Sequence, residues 1–97
     1  MLIPKDEALA RLAGVPGWEL DGDTIHRKFG FADFPEAVSF VVRLGFIAEA
    51  ADHHPDILIN YKRVTLTYST HSEGGLTEKD FAGAEAATKL AATFRRG

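Results

Sequence analysis

The alternation of apolar and polar positions divides the chain into a short ordered set of helices and strands. Residues 5–13 carry Leu9, Leu12 and Ala13 at helical spacing, Gly14 stops that helix, and Pro16-Gly17 turns the chain. Trp18-Glu19-Leu20 alternates as a strand. Asp21-Gly22-Asp23 marks a hairpin turn, and residues 24–31 return with Ile25, Phe29 and Phe31 on one face and His26 on the other, a solvated position. Asp33-Phe34-Pro35-Glu36 opens the main helix. Asp33 can accept from first-turn N–H groups, Glu36 can reach back, and proline is tolerated where N–H groups lack intrahelical partners. Steps of about 100° per residue gather Ala37, Phe40, Val41, Leu44, Ile47, Ala48 and Ala51 on a broad apolar face. Val38, Val42 and Phe46 form a second stripe, which is expected to pack against another subunit rather than another helix of the same chain.

Pro55 disfavours helical geometry at His54, so the helix is expected to end there. Ile57, Ile59 and Tyr61 alternate as a third strand; Val64, Leu66 and Tyr68 alternate in a fourth that runs out at His71. Gly74-Gly75 is a loop. Thr77-Glu78-Lys79-Asp80 is a capping box that starts the last helix, whose Phe81, Ala84, Ala87, Ala91 and Phe94 can face a core, with Arg95 and Arg96 suited to its C-terminal end. Hairpins separated by helices predict an α+β domain: a four-stranded antiparallel sheet with three helices on one face, in the order α-β-β-α-β-β-α.

Composition narrows the class. Ninety-seven residues suit one domain, 1–97, with a core small enough to leave room for an oligomer. Eleven basic against fourteen acidic residues, net −3, argue against nucleic acid as the direct partner. The absence of cysteine removes disulfides, thiolate nucleophiles and zinc ribbons. The apolar runs are too short for a membrane span, and Met1 to Asp6 lacks the apolar core of a secretory signal, which makes cytoplasm the expectation.

The chemistry concentrates between Glu49 and Asp80. His53, His54 and His71 lie there, with Glu49, Asp52, Asp56 and Asp80 and the aromatic Tyr61. Histidine titrates near neutrality unaided. A helix end opened by proline lets two adjacent imidazoles line one cleft, and His71 closes a strand before a glycine loop. Glu49 and Asp52 can orient an imidazole and favour its charged form. Three readings stand side by side. The histidines can be capping groups favoured by the helix dipole, and Asp80 a cap alone. Three histidines and a water make a catalytic zinc arrangement, although HExxH spacing is missing. Imidazoles near their pKa can also perform acid–base chemistry without metal.

The joint pattern of Glu49, His53-His54-Pro55, Tyr61, His71 and Asp80 resembles the signature of the pterin-4a-carbinolamine dehydratase family, also known as the dimerisation cofactor of a homeodomain transcription factor. Agreement extends from Trp18 through Phe34 to Thr70-His71 and Gly75-Leu76-Thr77. The resemblance implies dehydration of 4a-hydroxytetrahydropterin to quinonoid dihydropterin, with neither metal nor organic cofactor. It implies homodimers or homotetramers, the latter through the long helix over residues 34–52. His53, His54, His71 and Asp80 would form the catalytic set; Glu49, Asp52, His54 and Pro55 would bind or orient around the pterin. His53 and His71 are expected to transfer protons, with His54 chiefly binding. Ile57 stands where members often carry tryptophan, which weakens any expectation of aromatic stacking there, and Lys79 replaces a common arginine. Some relatives serve instead as transcriptional coactivators or assembly factors, so a non-catalytic protein-binding module presenting the long helix is the alternative.

Overall fold

The structure, a computed structural model, describes residues 1–94. Its elements run α1 (Lys5–Arg11), a 3-10 turn (Leu12–Gly14), β1 (Glu19–Asp21), β2 (Thr24–Gly30), α2 (Phe34–Ala51), β3 (Asp56–Asn60), β4 (Arg63–Tyr68), a second 3-10 turn (His71–Glu73) and α3 (Glu78–Ala92). The strands form one antiparallel sheet in the order β1-β2-β4-β3, and the α+β class and element order match the sequence expectation.

Period-two patterning decides which face of the sheet is covered. Ile25 and Phe29 of β2 and Val64, Leu66 and Tyr68 of β4 are buried, while His26, Thr65 and Thr67 between them are only partly covered. The helices close this core with Ala8 from α1, Ala37, Phe40, Leu44 and Ala48 from α2, and Phe81, Ala84 and Ala87 from α3. Aromatic rings fill the space that small helical residues leave. Phe40 lies 4.9 Å from Phe31 and 5.4 Å from Phe29 between ring centres, and Trp18 packs edge-on against Phe29 while its Nε1 donates to Thr88 Oγ1 at 2.9 Å.

Several local expectations are corrected. The first helix stops at Arg11 and continues as the 3-10 turn; it packs through Ala8, leaving Leu9 exposed. At the start of α2, Asp33 Oδ1 accepts from Glu36 N at 2.9 Å, while Glu36 Oε1 reaches one residue further back, to Ala32 N. Ile47 and Ala51 do not join the core. Where the end of α2 faces Lys79, Ala82, Gly83 and Ala86 of α3, a cavity remains between the helices. Tyr61 is not in the third strand: Asn60 pairs with Arg63, so Tyr61 and Lys62 form the two-residue turn, with Tyr61 at φ 54° and exposed. The second stripe of α2 does face outward, with Val42 54% and Phe46 75% exposed. Arg95 and Arg96 lie outside the described residues. Among those described, no helix is long and apolar enough to cross a membrane.

Candidate active site

The helix that carries the histidine pair ends at Ala51 rather than at His54, because Asp52 takes a left-handed conformation, φ 52° and ψ 43°. Asp52 N then donates to Glu49 O and His53 N to Ala48 O, each at 3.1 Å, the paired bonds of a Schellman end. Glycine is the usual residue at such a position; aspartate tolerates it at some cost. The reversal does what proline alone was expected to do. It throws His53 back over the sheet and His54 outward, before Pro55 leads into β3.

His53 finds a buried carboxylate. Its Nε2 lies 2.6 Å from Oδ1 of Asp80, whose side chain is fully buried, and the imidazole itself is only 11% exposed. The other oxygen, Oδ2, accepts from Thr70 Oγ1 at 2.7 Å and Thr77 N at 2.9 Å. Thr77 Oγ1 lies 2.8 Å from Thr70 Oγ1 and accepts from Lys79 N. Since the one hydroxyl hydrogen of Thr70 goes to Asp80, Thr77 must donate to Thr70, and donors run in one direction towards Asp80. An ionised carboxylate only accepts. Nε2 of His53 therefore carries a hydrogen, which leaves Nδ1 as the nitrogen able to exchange a proton with a ligand. Asp80 caps α3 and orients His53 at once; capping alone does not describe it.

Tyr68, the last residue of β4, lies under this pair. Its ring stacks on His53 at 5.8 Å between centres and 19° between planes. Burial, and then the negative charge of Asp80, push its phenol up to about 12. Gly83 of α3 makes room for it: a Cβ there would lie 2.5 Å from Tyr68 Cε1. Beside the ring is a cavity of about 130 Å³ lined by Ile47, Ala48, Ala51, His53, Tyr68, Lys79, Ala82, Gly83 and Ala86.

The remaining sequence candidates are not part of this hydrogen-bonded group. His54 Nε2 lies 2.9 Å from Glu49 Oε1, both exposed. His71 directly follows Thr70 and is exposed; its ring makes no hydrogen bond or ion pair among the described residues. The β3–β4 ladder ends at the Asp56–Thr67 pair, with His53 and His54 just before β3 and His71 just after β4, so all three histidines belong to one end of the sheet. Asp52 contacts no imidazole by hydrogen bond or ion pair; its part is in the backbone. Pro55 is half-buried between His54 and β3. Tyr61 is at the opposite end of the β3–β4 hairpin, and Ile57 is partly exposed on β3. Among the described residues no group of three or more His, Asp or Glu is arranged to hold a metal ion. Sequence reasoning missed Thr70, Thr77 as a relay, Tyr68 and Gly83. The signal for Thr77 was its place in the capping box, and for Tyr68 the aromatic ending an otherwise aliphatic strand face.

Comparison with known proteins points to one family. The family model for pterin 4 alpha carbinolamine dehydratase matches residues 1–90. A protein of Chloroflexus aurantiacus, provisionally named a pterin-4-alpha-carbinolamine dehydratase, is 51% identical over 84 residues, 87% of this chain and 90% of its own length. A Sulfolobus acidocaldarius protein of the same provisional name is 42% identical over 90 residues, covering 93% of this chain and 99% of that one. The crystal structure of a transcriptional coactivator/pterin dehydratase from Brucella melitensis superposes with a TM-score of 0.89 at 36% identity, over 94% of this chain and 99% of the other. A pterin dehydratase-like RuBisCO assembly factor of the alpha-carboxysome shares the fold, with a TM-score of 0.63 at 21% identity over 76% of this chain and 86% of that one. With a match over nearly all of its length and relatives at about half identity, the chain belongs to the pterin 4 alpha carbinolamine dehydratase family.

Proposed function

We propose that this protein dehydrates 4a-hydroxytetrahydropterin, a 4a-carbinolamine, to quinonoid dihydropterin, and so serves tetrahydropterin recycling as a hydro-lyase. The observation that carries the reading is the 2.6 Å contact between His53 and the fully buried Asp80. A histidine held by one nitrogen on a carboxylate, with the other free, is built to pass a proton.

The reaction needs two proton movements. The 4a-hydroxyl takes a proton and leaves as water, while the N5 lone pair forms the C4a–N5 double bond and the N5 hydrogen passes to a base. His53, through Nδ1, and His71, on the facing segment, exchange these two protons; His54 binds the pterin, steadied by Glu49. Asp80 holds the tautomer and compensates positive charge on His53. Asp52 positions the pair through the chain reversal, and Pro55 bounds the pocket. Each imidazole in such a role contributes on the order of 10²–10⁴ in rate. No organic cofactor or metal enters this scheme. The outward stripe of Val42 and Phe46 on α2 supports assembly into a homodimer or homotetramer through that helix.

A second reading draws on the same stripe. The Brucella melitensis relative is described as a transcriptional coactivator as well as a pterin dehydratase, and exposed Phe46 is a suitable anchor for another protein. The intact His53–Asp80 pair favours the enzyme. Stopped-flow mixing with freshly generated 4a-hydroxytetrahydropterin separates them: dehydration faster than the spontaneous reaction is expected, and no acceleration at stoichiometric protein would refute the enzyme.

A further inference from the structure

The bond to Asp80 fixes one point of the His53 imidazole and leaves its plane free to swivel about that point. The lone pair of Nδ1 lies in the ring plane, so the plane decides where a proton can be passed. A carboxylate oxygen accepts over a broad range of directions, and the 2.6 Å contact alone does not choose among them. The other charged residue near the ring is Lys79, which lines the cavity beside it. Lys79 is exposed, and among the described residues its ammonium makes no hydrogen bond or ion pair, so it does not set the plane either.

Tyr68 does constrain that plane. Its ring lies nearly parallel to the imidazole, 19° between planes and 5.8 Å between centres, an offset stack within the usual range of about 4.5–7 Å. The tyrosine cannot give way. It is 2% exposed on β4, and Trp18 packs on it at 5.9 Å between centres. On the α3 side, a Cβ at Gly83 would lie 2.5 Å from its Cε1 and 2.7 Å from its Cζ. The phenol, pushed up to about 12, is uncharged at neutral pH, and a neutral aromatic face attracts the positive charge that His53 takes during proton transfer.

Core filling alone does not account for this pair. Val64 and Leu66 fill the preceding inward positions of β4, and an aliphatic side chain in the third would demand nothing of α3. Instead Gly83 sits inside α3, where glycine is less favourable than alanine, and so admits a ring.

We propose that Tyr68 is a positioning residue of the reaction: its ring sets the plane of the His53 imidazole and so aims Nδ1 at the reacting atoms, with Gly83 the residue that admits it. This role rests on the reaction proposed above.

Stopped-flow dehydration of 4a-hydroxytetrahydropterin, read as kcat and KM separately, tests it in Tyr68→Leu, Tyr68→Phe and Gly83→Ala, with folding checked by circular dichroism. Tyr68→Leu removes the ring. Its kcat is expected to fall about ten- to a hundredfold with KM within about twofold, because a misaimed imidazole impairs the transition state and not binding. Tyr68→Phe restores a ring and is expected to return kcat to within about threefold of wild type, a rescue that loss of the phenol hydroxyl does not prevent. Gly83→Ala displaces the ring and asks the same question by another route should Tyr68→Leu not fold; its kcat is expected to fall as well. The double variant is expected to be no slower than Tyr68→Leu, since the new Cβ then meets no tyrosine. A role in packing alone would lower stability without separating kcat from KM. Wild-type kcat in folded Tyr68→Leu or Gly83→Ala, a loss carried by KM alone, or an equal loss in Tyr68→Phe overturns the positioning role and leaves the reaction standing. Absence of turnover in the wild-type protein overturns both.

Discussion

Replacing Asp80 with asparagine removes one charge and nearly no volume, and the structure states what must follow. Three donors converge on that carboxylate: His53 Nε2 at 2.6 Å, Thr70 Oγ1 at 2.7 Å and Thr77 N at 2.9 Å. The asparagine oxygen can keep the two threonine donors. Its NH₂ then faces His53, and two donors cannot share one hydrogen bond, so the imidazole must release the Nε2 hydrogen and become the Nδ1–H tautomer. The nitrogen that should accept a proton from substrate is then already protonated. Compensation of the imidazolium is lost as well. Hydrogen bonds to charged groups contribute about 1.5–3 kcal/mol each, so a stability loss of about 2–3 kcal/mol is expected for the single bond rearranged. The rate loss should be larger in consequence, about 10²–10⁴ in kcat, the range of one acid–base group. Urea unfolding measures the first, and single-turnover dehydration of 4a-hydroxytetrahydropterin by folded Asp80→Asn measures the second. Activity within about threefold of wild type in a folded variant would refute the reasoning, because an oriented tautomer would then not matter.

Further outcomes follow from other parts of the molecule. Asp52→Gly relieves a left-handed residue and should stabilise by roughly 0.5–1 kcal/mol in urea unfolding, whereas Asp52→Ala should destabilise by about 1 kcal/mol. Tyr61→Phe leaves Tyr68 as the one tyrosine, and its absorbance at alkaline pH should titrate at about 12. Because the folded value is raised above the unfolded value of about 10, stability contributed by Tyr68 is full below about pH 10 and is lost as pH rises through about 12. Val42→Glu puts a charge in the exposed α2 stripe and should reduce the assembly size seen by analytical ultracentrifugation; an unchanged size would show that this stripe is not the contact.

The fold was legible because most of its signals are local. Turn residues Gly22 and Asp23, the Asp33 cap, the Thr77–Asp80 box and the alternation of Val64, Leu66 and Tyr68 each specify one element, and all agree. What escaped depended on conformations that residue type only weakly indicates. Aspartate in a left-handed helix end at Asp52 competes with the proline rule, and it wins by closing two backbone hydrogen bonds. Tyr61 continued an alternating pattern, yet the backbone turned first. The site was partly legible. His53 and Asp80, 27 residues apart, are brought together, and Glu49, expected to orient an imidazole, meets His54. Thr70, Tyr68 and Gly83 were invisible as site residues because their part depends on the packing of β4 against α3, between positions distant in sequence.

The most direct test is the dehydration rate of His53→Ala beside that of wild type, in a single-turnover stopped-flow experiment at neutral pH with fold retention checked by circular dichroism. The account predicts a wild-type rate well above the spontaneous one and a loss of about 10²–10⁴-fold on removing the imidazole. A folded His53→Ala protein that turns over like wild type would contradict it, since the ring held on Asp80 would then have no part in moving the protons.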